Sequence, residues 1–180
     1  IITDLGIRRV SLHLNSIGCR ECRPAYRAAL KSYFTEHIGG LCETCRSRLE
    51  TNPMRILDCK SPECQAIAAG APKTLDHLCP ACRDHFELLK SALDAQGIAY
   101  EIDPHIVRGL DYYTRTVFEF IADGIGAQST VCGGGRYDGL VKELGGPELP
   151  GIGFAMGITR LLLAMHADGV EIEKPDVPAV

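Results

Sequence analysis

Eight of the nine cysteines in this 180-residue chain fall in four tight pairs between residues 19 and 82. They are Cys19 with Cys22, Cys42 with Cys45, Cys59 with Cys64, and Cys79 with Cys82. A Cys-x-x-Cys turn sets two thiolates at adjacent corners of a tetrahedron around Zn²⁺, and two such turns complete a four-sulfur site. Four turns therefore provide for two zinc ions. The spacers, 19 residues from Cys22 to Cys42 and 14 from Cys64 to Cys79, lie near the range of zinc ribbons. Pairing the turns in sequence order is the simplest arrangement, and an interleaved one satisfies the same spacings. A disulfide framework needs a secreted context, and Ile1-Ile2-Thr3-Asp4 has neither the basic nor the apolar region of a signal peptide. Scattered core thiols do not predict four tight pairs. Four sulfurs leave no open coordination position, so the expected role is a folding staple in a stretch with few other core-forming residues between 40 and 80.

The rest of the composition is that of an ordinary globular chain, with 46% hydrophobic and 23% charged residues. Its length allows one core, or one core and a small satellite. A net charge of -4 carries no general nucleic-acid signal. Arg20, Arg23, Arg46, Arg48, Arg55 and Lys60 do cluster among the cysteines. They can meet RNA phosphates or offset the charge of a four-thiolate site. No apolar run approaches the roughly 20 residues of a membrane span, and a cytoplasmic protein is expected. The missing initiator Met and the linker-like tail Lys174-Pro175-Asp176-Val177-Pro178-Ala179-Val180 lead to the expectation of a fragment.

Alternation in Val10-Ser11-Leu12-His13-Leu14 predicts a half-buried strand. From Pro24 to Gly39 the stripe of Tyr26, Ala29, Leu30, Tyr33, Phe34 and Ile38 predicts a helix. A loop-rich stretch punctuated by Pro53, Pro62, Pro72 and Pro80 is expected to about residue 82, then a second helix carrying Phe86, Leu89 and Leu93 up to Gly97. Strands are expected at Tyr100 to Val107, Thr116 to Ala122 and Thr130 to Gly135, the middle one rich in β-branched and aromatic residues. A short helix at Leu140, Val141 and Leu144 and a buried helix from Phe154 to about His166 complete the pattern. The fold class is α+β, an antiparallel core interrupted by a cysteine-rich insertion. The expected divisions are a core strand segment at 1–18, an insertion domain at 19–97, further core at 98–168 and a linker at 169–180.

Three segments carry chemistry. Arg108-Gly109-Leu110-Asp111-Tyr112-Tyr113 sets a planar phosphate-binding donor beside two aromatics. Cys132-Gly133-Gly134-Gly135-Arg136-Tyr137-Asp138-Gly139 is a glycine run on which a ligand can lie close to the backbone, without dinucleotide or P-loop spacing. Arg160 stands on an otherwise apolar helix, where an arginine needs a carboxylate partner or an anionic ligand.

Together these segments resemble the histidyl-tRNA synthetase family, class II synthetases with an antiparallel catalytic sheet. Arg108 to Tyr113 is similar to the family's first signature, Gly134 to Gly139 to its second, and Gly153 to Leu161 to class II motif 3. Leu12 to Gly18 and Thr51-Asn52-Pro53 also match bacterial members. The resemblance implies that Arg108 is catalytic, held beside the α-phosphate of ATP and the histidine carboxylate, where its charge stabilises the transition state. It implies a histidine pocket lined by Tyr112, Tyr113 and Tyr137 on the floor of Gly134 and Gly135, and contact of Arg160 with ATP phosphates. ATP with Mg²⁺ and histidine would be substrates, and the insertion domain would lie near the tRNA acceptor end. Thr159 departs from the Glu that many members carry there, and the cysteine pairs occur only in some. Class II motifs 1 and 2 and an anticodon-binding domain are not in this sequence. The family dimerises largely through such parts, so this polypeptide alone is expected to be inactive. Two rivals are the family-like regulatory subunit of ATP phosphoribosyltransferase, in which the signatures are usually eroded, and a zinc-ribbon RNA-binding module, which leaves the signatures unexplained.

Overall fold

In a computed structural model that describes residues 1–106, 112–126 and 129–171, a five-stranded sheet carries a helical insertion. The strands are β1 (Val10–Ser16), β2 (Glu101–Ile102), β3 (Thr114–Ala122), β4 (Thr130–Arg136) and β5 (Ile152–Met156), in the order β2-β1-β3-β4-β5. β3 pairs antiparallel with β1 and β4, and β4 with β5. Among the described residues only β2 runs parallel to its neighbour, with His13 opposite Glu101. The chain leaves β1 for the insertion and returns beside the same strand, and such a long crossover connection is what parallel pairing requires. Of the strand expected from Tyr100 to Val107, of which Val107 lies outside the described residues, only Glu101–Ile102 is strand among the described ones, followed by a hydrogen bond from the Asp103 amide to the Leu14 carbonyl at 2.9 Å.

The insertion contains α1 (Arg23–Glu36), α2 (Glu43–Thr51), α3 (Pro62–Ala68) and α4 (Pro80–Ala95). Single 3₁₀ turns lie at Pro53–Ile56 and Thr74–His77. The stretch expected to be loop-rich is therefore largely helical. Its prolines were misleading: Pro53, Pro62 and Pro80 each open a helical turn, where the missing N–H has no partner to lose and φ is already set. These elements also enclose a core of their own. Tyr26, Leu30 and Phe34 of α1 pack with Leu41, Cys45, Leu49, Ile56, Cys64 and Ala68. The expectation of few core residues between 40 and 80 is corrected accordingly.

A second core, with Ile2, Ile7, Ala122, Val131, Leu161 and Ala164, lies between the sheet and α6 (Ile158–Ala167). The single buried helix expected from Phe154 is instead strand β5, Gly157 and then α6, with α5 (Leu140–Glu143) preceding them. β4 offers a free edge that Ile152 to Met156 completes, and backbone pairing overrides the apolar run's helical reading. The segment is only partly buried: Leu161 and Ala164 enter this core, while Ile152, Phe154 and Ile158 are 72%, 59% and 74% exposed. The Arg9 guanidinium and the Arg8 and Arg9 amides clamp Asp168 beyond α6, tying the end of that helix to the approach to β1.

Candidate functional site

The cysteine pairs converge into two groups, but not in sequence order. Cys19 and Cys22 meet Cys79 and Cys82, while Cys42 and Cys45 meet Cys59 and Cys64, with all sulfurs of a group within 4.8 Å of one another. The arrangement is nested, so pairing in sequence order is corrected. Its cause is topological: the outer group joins the start of the insertion, where the chain leaves β1, to the start of its last helix, α4. The inner group forms in the core between α1, α2 and α3.

The sulfur spacings discriminate between chemistries. Sγ atoms lie 3.6 Å apart for Cys19 and Cys22, 3.8 Å for Cys19 and Cys79, and 3.9 Å for Cys42 and Cys59. A disulfide needs about 2.05 Å. A tetrahedron with Zn–S of about 2.3 Å has edges of about 3.8 Å. The four-sulfur groups therefore fit a zinc ion.

Each group also repeats one device. The helix-opening cysteine is extended, and its amide reaches a sulfur of the other pair: Cys79 N–H to Cys22 Sγ at 3.1 Å, Cys42 N–H to Cys64 Sγ at 3.3 Å. Burial alone would raise the Cys22 thiol, but amide donors from Cys79 and Cys19 bring it down to about 7. The Cys42 thiol also falls to about 7, chiefly through a backbone hydrogen bond from Cys45. Burial, reinforced by neighbouring sulfurs, drives Cys45 and Cys82 in the opposite direction. Four clustered sulfurs cannot all ionise without a counter-charge, and a divalent cation supplies it.

The second assembly is aromatic. Tyr112, Tyr113 and Tyr137 gather at the start of β3 and the end of β4, with ring centroids 4.7 Å apart for Tyr112 and Tyr113, 5.8 Å for Tyr112 and Tyr137, and 6.2 Å for Tyr113 and Tyr137. Ile17, Ile106 and Val117 back them. The glycines let the rings lie against backbone: a Cβ at Gly135 would stand 2.8 Å from Tyr113 Cδ1. Gly134 faces β5 so closely that a Cβ would meet the Gly153 carbonyl. Gly151 and Gly153, quoted in the sequence only as part of the segment leading to Arg160, turn out to be where the Tyr137 ring rests; their i, i+2 spacing at a strand was the available signal.

Arg108, with Gly109, Leu110 and Asp111, lies outside the described residues. Arg160 donates from Nη1 to the Thr130 carbonyl at 2.9 Å, a main-chain acceptor that neither sequence reading named. Arg136 and Asp138 stood in the glycine-run motif without an assigned role, and Arg115 was missed: Arg136 Nε lies 2.6 Å from Asp138 Oδ1 and Arg115 Nε 4.0 Å from Oδ2. His85 of α4 faces this group, its Nε2 3.3 Å from Thr116 Oγ1, and burial together with Arg136 and Arg115 lowers its pKa. The basic residues of the insertion are partly engaged in local structure. Arg46 donates to the Gly39 carbonyl, Arg48 to the Arg55 carbonyl, and Lys60 pairs with Asp58.

A family profile described as histidyl-tRNA synthetase matches residues 28–161. The histidine–tRNA ligase of Caldanaerobacter subterraneus subsp. tengcongensis is 53% identical over 178 residues, covering 99% of this chain and 43% of that protein. That of Desulforamulus reducens is 55% identical over 166 residues, covering 92% and 40%. The structure of apo S. aureus histidyl-tRNA synthetase superposes with a TM-score of 0.72 at 41% identity, over 96% of this chain and 42% of that one. A Bacillus halodurans ATP phosphoribosyltransferase regulatory subunit/histidyl-tRNA synthetase, at 23% identity and a TM-score of 0.54, shares the fold. The chain spans about two fifths of the length of these curated relatives.

Proposed function

The chain belongs to the histidyl-tRNA synthetase family, and from that premise we propose that it forms the part of an ATP-dependent histidine–tRNA ligase that walls the amino-acid pocket and carries the insertion domain. The observation that carries the reading is the cluster of Tyr112, Tyr113 and Tyr137 on a bed of glycine backbone. Three clustered phenols can offer ring surface to an imidazole and hydroxyls that can serve both its donor and its acceptor nitrogen. Arg108 would hold the histidine carboxylate and the α-phosphate, and Arg160 the ATP phosphates that Mg²⁺ accompanies. Their charge offsets that developing as the adenylate forms, and acyl transfer to the tRNA end then needs mainly positioning.

In this reading residues 1–18 and 98–168 belong to the catalytic core, 19–97 to the insertion domain near the acceptor stem, and 169–180 to a linker. Zinc would be held in the two four-cysteine groups as a structural ion, with no open position for substrate. Such thiolate sites suit a reducing cytoplasm, and among the described residues no helix is long and apolar enough to cross a membrane. The exposed apolar residues of β5 and α6 support a place within a larger assembly, consistent with dimeric full-length enzymes of this family.

The direct test is segment exchange. Residues 1–180 should replace the matching part of the Caldanaerobacter ligase and keep histidine-dependent ATP–pyrophosphate exchange. Arg108→Ala in that chimera should lower the rate by about 100-fold or more. A folded, zinc-loaded chimera without exchange activity contradicts the proposal. The 180-residue chain alone should show no exchange.

A further inference from the structure

Arg23 stands between the outer four-sulfur group and the tyrosine wall. It follows Cys22 directly and opens α1. Its guanidinium donates to two main-chain carbonyls, from Nη2 to Tyr113 and from Nε to Ile17 at 3.5 Å. Those carbonyls belong to two segments already laced together: Ile17 N–H donates to the Arg115 carbonyl at 2.7 Å, and Arg115 N–H to the Gly18 carbonyl at 2.8 Å. The lacing holds Arg115 at φ +54°, a left-handed conformation costly for a side chain of its size, where the register of β3 shifts. Gly18, also left-handed, lets the Cys22 side chain lie within 3.0 Å of the position a Cβ would take. Tyr113 is thus gripped on both sides, its ring against Gly135 and its carbonyl by Arg23.

We propose that Arg23 is a positioning residue for the tyrosine wall, and that closure of Cys19, Cys22, Cys79 and Cys82 around a metal ion fixes Arg23 in that role. The proposal rests on the reading of the wall as the histidine pocket. A Cys-x-x-Cys turn closed on metal has a fixed backbone, so the residue after its second cysteine is fixed too. The planar guanidinium serves two carbonyls at once, which an ammonium does less well. The inner group sits in the insertion's own core, behind α1.

The test begins on this chain, ring-labelled with ¹³C-tyrosine and titrated with Zn²⁺. Two equivalents should bind, and the Tyr112, Tyr113 and Tyr137 signals should shift as the outer group fills. Arg23→Met should still bind two ions while those signals stop following them, and Arg23→Lys should restore part of the response. Pocket signals that follow zinc equally in Arg23→Met overturn the proposal, and so does a fall to one ion in that variant. In the chimeric ligase, Arg23→Met should raise the KM for histidine about tenfold, the scale of one charged hydrogen bond, with the KM for ATP unchanged. An equal rise in both KM values overturns the positioning role. An inactive parent chimera instead contradicts the ligase reading and leaves the coupling between zinc and Tyr113 standing on the spectra.

Discussion

The insertion and the sheet are built from similar proportions of apolar residues but dispose of them in opposite ways. In the insertion Tyr26, Leu30, Phe34 and Ile56 are wholly buried. In the sheet, the β5–α6 side leaves Ile152, Phe154, Ile158, Leu162 and Leu163 exposed. The insertion closes on itself. Its nested cysteine groups explain how: the outer one joins residues 60 apart in sequence, Cys19 and Cys79, and so closes a longer loop than pairing in sequence order would. The sheet buries Val117 and Val131 but leaves this β5–α6 face open. The insertion is thus organised around a centred core and two four-sulfur groups, while the half that carries the tyrosine cluster keeps an open apolar face.

Metal removal is the strongest way to break that comparison. Structural four-sulfur zinc contributes on the order of 10 kcal/mol of apparent binding free energy per site, most of it expressed as folding. Chelation should therefore abolish amide-exchange protection in α1 to α4 while β3 and β4 retain much of theirs. Equal loss in both regions would show that the insertion is not a separate cooperative unit.

The next contrast matches two phenylalanines. Phe34→Ala opens a cavity in the insertion core and should cost about 3–5 kcal/mol in denaturant unfolding of the zinc-loaded chain. Phe154→Ala, on the exposed face, should cost no more than about 0.5 kcal/mol and should reduce self-association in sedimentation experiments. A comparable cost for the two substitutions would mean that the β5–α6 face is covered within this chain.

Sequence patterning rendered the two halves unequally legible. Three strands and the stripe on α1 were readable because period-2 and period-3.6 burial leave direct traces. The helical turns between 43 and 68 were not, because Pro53 and Pro62, which read as breakers, occupy first-turn positions. The eight clustered cysteines announced four-sulfur groups, yet their partnering depends on which chain ends meet, a property of the sheet crossover rather than of spacing. At the pocket, Tyr112, Tyr113, Tyr137, Gly134 and Gly135 stood in recognisable motifs. Arg23 and Arg115 did not, since one acts through main-chain carbonyls and the other through a left-handed backbone. Neither interaction has a residue-type signature.

The smallest expected effect concerns how each half responds to acid. Asp168 accepts hydrogen bonds from Arg9 Nε at 2.6 Å, Arg8 N at 2.7 Å and Arg9 N at 3.1 Å, and these hold its carboxyl down at about 2 from an ordinary 3.8. Because the folded value is the lower one, the unfolded chain binds the extra proton between them. The clamp's stabilisation is therefore fully present above about pH 4 and disappears as the pH falls through about 2. The insertion meets acid differently, through protons competing with metal for thiolates, and should release zinc before the sheet loses this clamp. Asp168→Asn should lower the stability of the sheet by a constant amount above about pH 4, and that deficit relative to the parent should vanish near pH 2. Its zinc-release curve should coincide with the parent's, because the clamp lies at the end of α6 and touches neither cysteine group. A deficit that persists unchanged at pH 2 would show that the ionised carboxylate is not what the clamp stabilises, and a displaced zinc-release curve would show that the two halves are coupled beyond the contact proposed for Arg23.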